Sequence, residues 1–202
     1  MERSAEPLPE DLPSLAQAEA ACTRCPLYKN ATQVVPGEGT QARIMFVGEQ
    51  PGDREDQAGR PFVGPAGKLF DRALHDAGLE RAETFVTNAV KHFKFQLRGK
   101  RRLHSKPNAY EIERCSWWLE LERQLVQPRL IVALGATAVR SLCGRTLTIK
   151  SLRGELRKLE DGTALVVTVH PSALLRMRDA AAREAAYTAF VEDLRRAKEA
   201  AS

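Results

Sequence analysis

The chain has 202 residues, of which 43% are hydrophobic and 28% charged, with a formal net charge of +5. That length and balance suit one soluble globular domain with a real core. No apolar run approaches membrane-spanning length, and the first residues are acidic and proline-bearing, without the basic-then-apolar pattern of a secretory signal, so a cytoplasmic address is expected.

Residues 1–20 read as a loose arm entering a short helix from Leu15 to Ala21. Cys22-Thr23-Arg24-Cys25 follows. Zinc sites, iron–sulfur sites and thiol redox pairs all use such spacing, but a redox pair normally follows a strand, and none is predicted here. In a cytoplasmic chain, metal is favoured over a crosslink. Cys115 and Cys143 lie far downstream, and Cys143 sits among apolar neighbours as a packed residue.

A turn-rich link, Val34 to Gly39, leads to Arg43-Ile44-Met45-Phe46-Val47-Gly48. This uncharged run ending at glycine reads as a fully buried parallel strand, with Glu49-Gln50-Pro51-Gly52-Asp53 at its carboxyl end. Gly59-Arg60-Pro61-Phe62-Val63-Gly64-Pro65-Ala66-Gly67 opens a helix whose apolar face is Leu69, Phe70, Ala73, Leu74 and Ala77, stopped by Gly78. Thr84 to Val90 is a second strand, polar at Asn88. From Lys91 to Lys106 the chain is basic, with Lys94, Arg98, Lys100, Arg101 and Arg102 and no acidic residue. Two phenylalanines and two histidines interleave it, which favours contact with a polyanion.

Asn108 to Glu111 forms a capping-box start to a helix through Ile112, Cys115, Leu119 and Leu125. Leu130 to Gly135 is a third buried strand, followed by a short helix to Leu142. Residues 146–160 form a hairpin or an irregular excursion. Leu165 to Val169 is a fourth strand, ending at His170-Pro171-Ser172-Ala173-Leu174-Leu175-Arg176, and an alanine-rich helix closes the chain. Four buried strands alternating with helices predict a three-layer α/β/α sandwich around a four-stranded parallel sheet, one domain over 1–202. Glu49, Gln50, Asn88 and His170 then converge at one edge of the sheet, where open α/β sheets bind ligands. The first strand is not followed by Gly-x-Gly-x-x-Gly or Walker spacing, which disfavours a nucleotide-binding enzyme.

Gly48-Glu49-Gln50-Pro51-Gly52-Asp53 together with His170 to Arg176 resembles the paired motifs of the uracil-DNA glycosylase superfamily. The Cys-x-x-Cys pair and the Gly59 to Gly67 segment resemble its iron–sulfur branch. Gln50 and the basic loop Lys100-Arg101-Arg102-Leu103-His104 resemble the UdgX type within that branch, and the likeness runs from about Cys22 to the last helix.

The resemblance implies excision of uracil from DNA, with the target base extruded or taken from a single strand. By position it makes Phe62 the residue that stacks on the base and Asn88 the one that selects it. Asn88, His170 and the first-motif loop at Gly48 and Gln50 then stabilise the departing uracil anion. It also implies that His104 attacks the sugar C1′ and stays attached, with Glu49 as its partner. A histidine of ordinary pKa, about 6.5, is largely neutral at pH 7 and has a free lone pair. Asp53 and Asp56 are expected to support the loop or the histidine. Lys100, Arg101, Arg102, Ser172 and Arg176 are expected on DNA, and Leu174 or Leu175 in the space the base leaves.

The branch uses four cysteines. Where its third is expected this chain has Lys91-His92-Phe93, so the implied ligands of a [4Fe–4S] cluster are Cys22, Cys25, His92 and Cys115, with zinc as the alternative. The expected partner is uracil-containing DNA, single strands preferred, acted on by a monomer. Two other readings stay open: a hydrolytic glycosylase in which Glu49 positions water, and a nucleic-acid-binding module without catalysis.

Overall fold

The computed structural model describes residues 8–145 and 147–202, so the first seven residues of the expected arm and Thr146 in the excursion lie outside the described part. The chain runs α1 (Leu12–Ala20), β1 (Ile44–Gly48), α2 (Asp53–Ala58), α3 (Pro65–Asp76), β2 (Thr84–Asn88), β3 (Phe95–Arg98), β4 (Arg101–His104), α4 (Ala109–Val126), β5 (Leu130–Leu134), α5 (Ala136–Cys143), α6 (Ile149–Leu152), β6 (Leu156–Lys158), β7 (Ala164–Thr168), α7 (Pro171–Leu175) and α8 (Ala180–Ala201). Short 3-10 turns occupy Pro26–Lys29 and Arg81–Glu83.

The sheet order is β2-β1-β5-β7-β6. The four expected strands are mutually parallel, and β6 adds a fifth, antiparallel to β7 at the edge. Its three residues are all exposed, so no apolar pattern marked it in the sequence. Every residue of β1 is buried. Its alternating side chains serve two cores: Ile44 and Phe46 pack with Phe70, Phe190 and Leu194 from α3 and α8. Met45 and Val47 pack with Leu119 and Val139 from α4 and α5. Helices on both faces explain why the strand carries no polar side chain. Phe46 and Phe70 meet edge to face at 5.0 Å and 72°. Burying one such ring contributes about 1.5–3 kcal/mol.

Asn108 caps α4 as its sequence predicts. Its side chain accepts from Glu111 N at 2.9 Å, and Glu111 Oε2 accepts from Asn108 N at 2.7 Å. A third cluster lies where α1 meets α4 and holds Leu15, Cys22, Cys25, Cys115 and Trp118.

Two features position the site. First, the chain leaves β1 towards β2 on one side, while β5 lies on the other. The ends of β1 and β5 therefore flank a topological switch point, where the following loops diverge and leave a crevice. Second, the basic segment is a β3–β4 hairpin with Phe95 opposite His104, standing apart from the main sheet. Among the described residues, no helix is long and apolar enough to cross a membrane.

Candidate active site

A cleft of about 780 Å³ opens at the switch point, lined by Glu49, Phe62, Asn88, His104 and His170 among others. Glu49 extends from the end of β1. Its Oε1 is 3.0 Å from His104 Nε2, and its Oε2 accepts from Thr137 Oγ1 at 2.6 Å. Burial alone would raise this carboxyl. The hydrogen bonds from His104 and Thr137 lead the influences that outweigh it, so Glu49 is held below the ordinary glutamate range. The pair is an ionised carboxylate against a half-exposed imidazole.

His104 comes from the last position of β4, and the structure shows what aims it. Gln50 is buried, and its Nε2 donates to the carbonyls of Lys94 at 3.2 Å and Ser105 at 3.1 Å. Its Oε1 accepts from Lys94 N at 3.1 Å. Both amide hydrogens are thus spent on the base of the hairpin. The Gln50 side chain clamps the element that carries His104, while the residue itself lines the cleft.

Arg102 also fastens the hairpin. Its Nε donates to Asp53 Oδ1 and its Nη1 to Asp56 Oδ2, both at 2.6 Å, and Nη1 also reaches Thr32 Oγ1 at 3.0 Å. Asp56 is fully buried and further accepts from Thr32 N and Oγ1. The guanidinium also lies 5.1 Å from the Phe95 ring centroid. Arg102 therefore faces the protein and fastens the hairpin to Asp53 and Asp56. Ion pairing also claims Lys94, bound to Glu111 at 2.9 Å, and Lys91, bound to Glu122 at 2.7 Å in the interior. Arg98, Lys100, Arg101 and Lys106 remain exposed, so the basic surface is smaller than the sequence suggests.

Across the cleft, Phe62 has a positive φ of 56° and stacks obliquely near His170, with ring centroids 5.8 Å apart. Arg81 steadies this strained turn by donating to Pro61 O at 2.8 Å. A Cβ on Gly67 would lie 1.8 Å from Phe62 O, so only glycine lets α3 begin there. Gly48 has the same kind of role. A Cβ there would lie 2.4 Å from Asn88 Oδ1 and 2.7 Å from Phe62 Cζ. Its missing side chain lets the buried amide and the ring share the floor of the cleft. Glu55, which the sequence did not mark, ties the two loops by accepting from Gly52 N at 3.1 Å and Gly64 N at 2.7 Å.

His170 Nδ1 lies 3.2 Å from Ser172 N, a geometry in which it accepts that N–H. Desolvation, aided by Arg176 and His104 against the opposing charge of Glu49, lowers its pKa to about 4. The ring is therefore neutral at pH 7 with its proton on Nε2, a hydrogen-bond donor in the cleft. Ser172 serves that tautomer, and Arg176 lines the cleft. Leu174 is 1% exposed and belongs to the core. It cannot serve as a wedge without leaving that core; Leu175, at 44% exposure, is the surface leucine of α7.

Cys22, Cys25 and Cys115 share the buried cluster between α1 and α4. Trp118 Nε1 donates to Cys22 Sγ at 3.0 Å and Lys91 N to Cys115 Sγ at 3.2 Å. Cys115 is pushed up to about 12, chiefly by burial. His92 is buried, and the charge it senses is that of Asp56. Among the described residues, no three histidine, cysteine or acidic side chains form a group that could hold a metal ion.

Comparison with known proteins completes the picture. Residues 36–195 match the profile of the uracil DNA glycosylase superfamily. The chain is 38% identical over 179 residues to a type-4 uracil-DNA glycosylase of Thermotoga maritima, covering 88% of each chain. It is 38% identical over 176 residues to a type-4 uracil-DNA glycosylase of Pyrobaculum aerophilum, covering 82% of this chain and 85% of the relative. A type-5 uracil-DNA glycosylase of Pyrobaculum aerophilum is 31% identical over 159 residues, 70% of this chain and 66% of that one. With these matches over most of its length and an α/β sandwich whose strand ends meet in one cleft, the chain belongs to the uracil DNA glycosylase superfamily.

Proposed function

We propose that this protein removes uracil from DNA and remains joined to the sugar through His104, as the UdgX-type resemblance implies. The observation that carries the reading is the His104–Glu49 pair, 3.0 Å apart at the mouth of the cleft that holds Phe62, Asn88 and His170.

The uracil stacks on Phe62 and meets the Asn88 amide, while the neutral His170 donates to the oxygen on which charge develops. The C1′–N bond breaks, and its electron pair leaves with the uracil. Glu49 stabilises the sugar cation. The unprotonated ring nitrogen of His104 gives its lone pair to C1′, and the ring proton passes to Glu49. An N-alkylated imidazole that has lost this proton is a poor leaving group, so the adduct persists. In the hydrolytic alternative, Glu49 must orient water. What supports capture by the imidazole is that His104 already lies 3.0 Å from Oε1 of Glu49, while Thr137 holds Oε2.

Cys22, Cys25, Cys115 and His92 are the proposed ligands of a [4Fe–4S] cluster, with zinc as the alternative. Three buried sulfurs in one pocket, two of them accepting N–H bonds, suit a soft metal centre. As they stand in this structure the four side chains do not yet form a metal-holding group. Such a cluster would staple α1 to α4 and the end of β2, and takes no part in breaking the glycosidic bond. Broad absorption near about 400 nm with bound iron supports iron; a colourless, zinc-loaded protein overturns it.

The test of the whole reading is incubation with a uracil-bearing single strand followed by a denaturing gel. A shifted band is expected for the wild type and none for His104→Ala. Free abasic product with no shifted band would select the hydrolytic reading. Salt-governed binding without uracil release would select the binding module.

A further inference from the structure

We infer that Thr137 is a positioning residue for the reaction: its hydroxyl holds Oε2 of Glu49 so that Oε1 is presented to His104. The inference rests on the Glu49–His104 reading and adds a residue that neither the motifs nor the basic hairpin contain.

Thr137 is 2% exposed and lies 2.6 Å from Glu49 Oε2. Against an ionised carboxylate, which only accepts, the hydroxyl must donate. Its position in the fold frees it to do so. A threonine inside a helix commonly bonds back to the carbonyl four residues earlier. Thr137 is the second residue of α5, so no earlier helical turn competes for its proton. The contact crosses the switch-point crevice, from the start of α5 after β5 to the end of β1. A side chain on a fixed helix thus locks the carboxylate in the one place where two loops of the sheet diverge.

A glutamate free to rotate would divide its time between orientations, only one of which faces His104. The hydroxyl also favours the ionised form that both cation stabilisation and proton acceptance need. Other charged groups bear on Glu49. On the hairpin side these are His104 and Lys106, on the α7 side His170 and Arg176, and in the first turn of α2 Asp53, Arg54 and Glu55, all lining the same cleft. None of these neighbours, His104 apart, shares Thr137's direct bond to the carboxylate.

The experiment compares full-length wild type, Thr137→Val and Thr137→Ser on a uracil-bearing single strand at saturating DNA. Adduct formation and uracil release are each followed from about pH 3 to about pH 8. In Thr137→Val the acid limb of the uracil-release profile is expected to move to higher pH. For each unit it moves, the rate below the midpoint falls about tenfold. The half-saturating DNA concentration should stay unchanged, and Thr137→Ser, which keeps the hydroxyl, should restore the wild-type midpoint. Superimposable profiles for Thr137→Val and wild type would overturn the inference. So would a Thr137→Ser profile displaced as far as that of Thr137→Val, since packing would then account for the effect. If Thr137→Val does not fold, Thr137→Ala, which also removes the hydroxyl, takes its place in the comparison with Thr137→Ser. Should the wild type release uracil without forming an adduct, the crosslinking reading fails separately, and the release profile still judges Thr137.

Discussion

Arg102 donates to the fully buried carboxylate of Asp56 at 2.6 Å, so a residue of the basic hairpin points into the protein. With Asp53 on its other side, the guanidinium holds the hairpin against the start of α2. Arg102→Ala is therefore expected to slow uracil release and crosslinking by about a hundredfold through misplacement of His104. The salt dependence of DNA binding should change little. Arg101→Ala should do the opposite, reducing the slope of log affinity against log salt by about 1 with little effect on rate at saturation. Binding titrations at several salt concentrations, paired with single-turnover rates, check both.

The pH dependence follows from two groups that shift in the same direction for different reasons. Glu49 is held below the ordinary glutamate value, so uracil release, which needs the ionised carboxylate, should persist down through the usual carboxylate range and fall only below it. Glu49→Gln should flatten that acid limb at a much reduced rate.

His170 titrates near pH 4 in the folded chain, against about 6.5 when unfolded. Between those values the unfolded state binds a proton that the folded state refuses, so stability rises with pH across this window and falls on acidification. His170→Asn should remove that part of the slope, read from urea midpoints at pH values across the window.

Gly48→Ala is expected to cost about 1–3 kcal/mol of stability, since the added methyl must displace Asn88 and the Phe62 ring, both packed in the floor of the cleft. Urea denaturation would measure the loss. Uracil release should fall further than stability alone explains, because the amide and the ring are parted.

Lys91 and Glu122 form an ion pair with side chains 0% and 1% exposed. Beside them Glu19 is raised to about 8, chiefly by burial, and so is largely protonated at pH 7. Removing one partner leaves the other charge buried, and Glu122→Gln is expected to destabilise the fold by about 3–5 kcal/mol. A thermal melt of this variant beside one of Arg60→Gln, which breaks an exposed bond to Glu38, would show the contrast.

The four parallel strands were legible because each is an apolar run closed by glycine or a polar residue, and α4 because Asn108 and Glu111 advertise its cap. Glu49, Asn88 and His170 were legible together because a parallel sheet brings its strand ends to one edge. Helix α2 was not, since Asp53 to Gln57 is polar on every face. The hairpin hid behind its charges, which break the alternation that marks a strand. Nothing in the sequence shows that Arg102 turns inward, because its partners lie 46 and 49 positions away. Thr137 carries no signal at all: a threonine after a strand is ordinary until a carboxylate is found beside it.

The Gln50 amide, bonded to both ends of the hairpin, welds that hairpin to the central sheet. A designer who transplants only the segment from Phe95 to His104 onto another scaffold would bring the imidazole without its aim. The transferable unit is the hairpin together with the strand end that grips it, and a carboxamide is the smallest part that cannot be left behind.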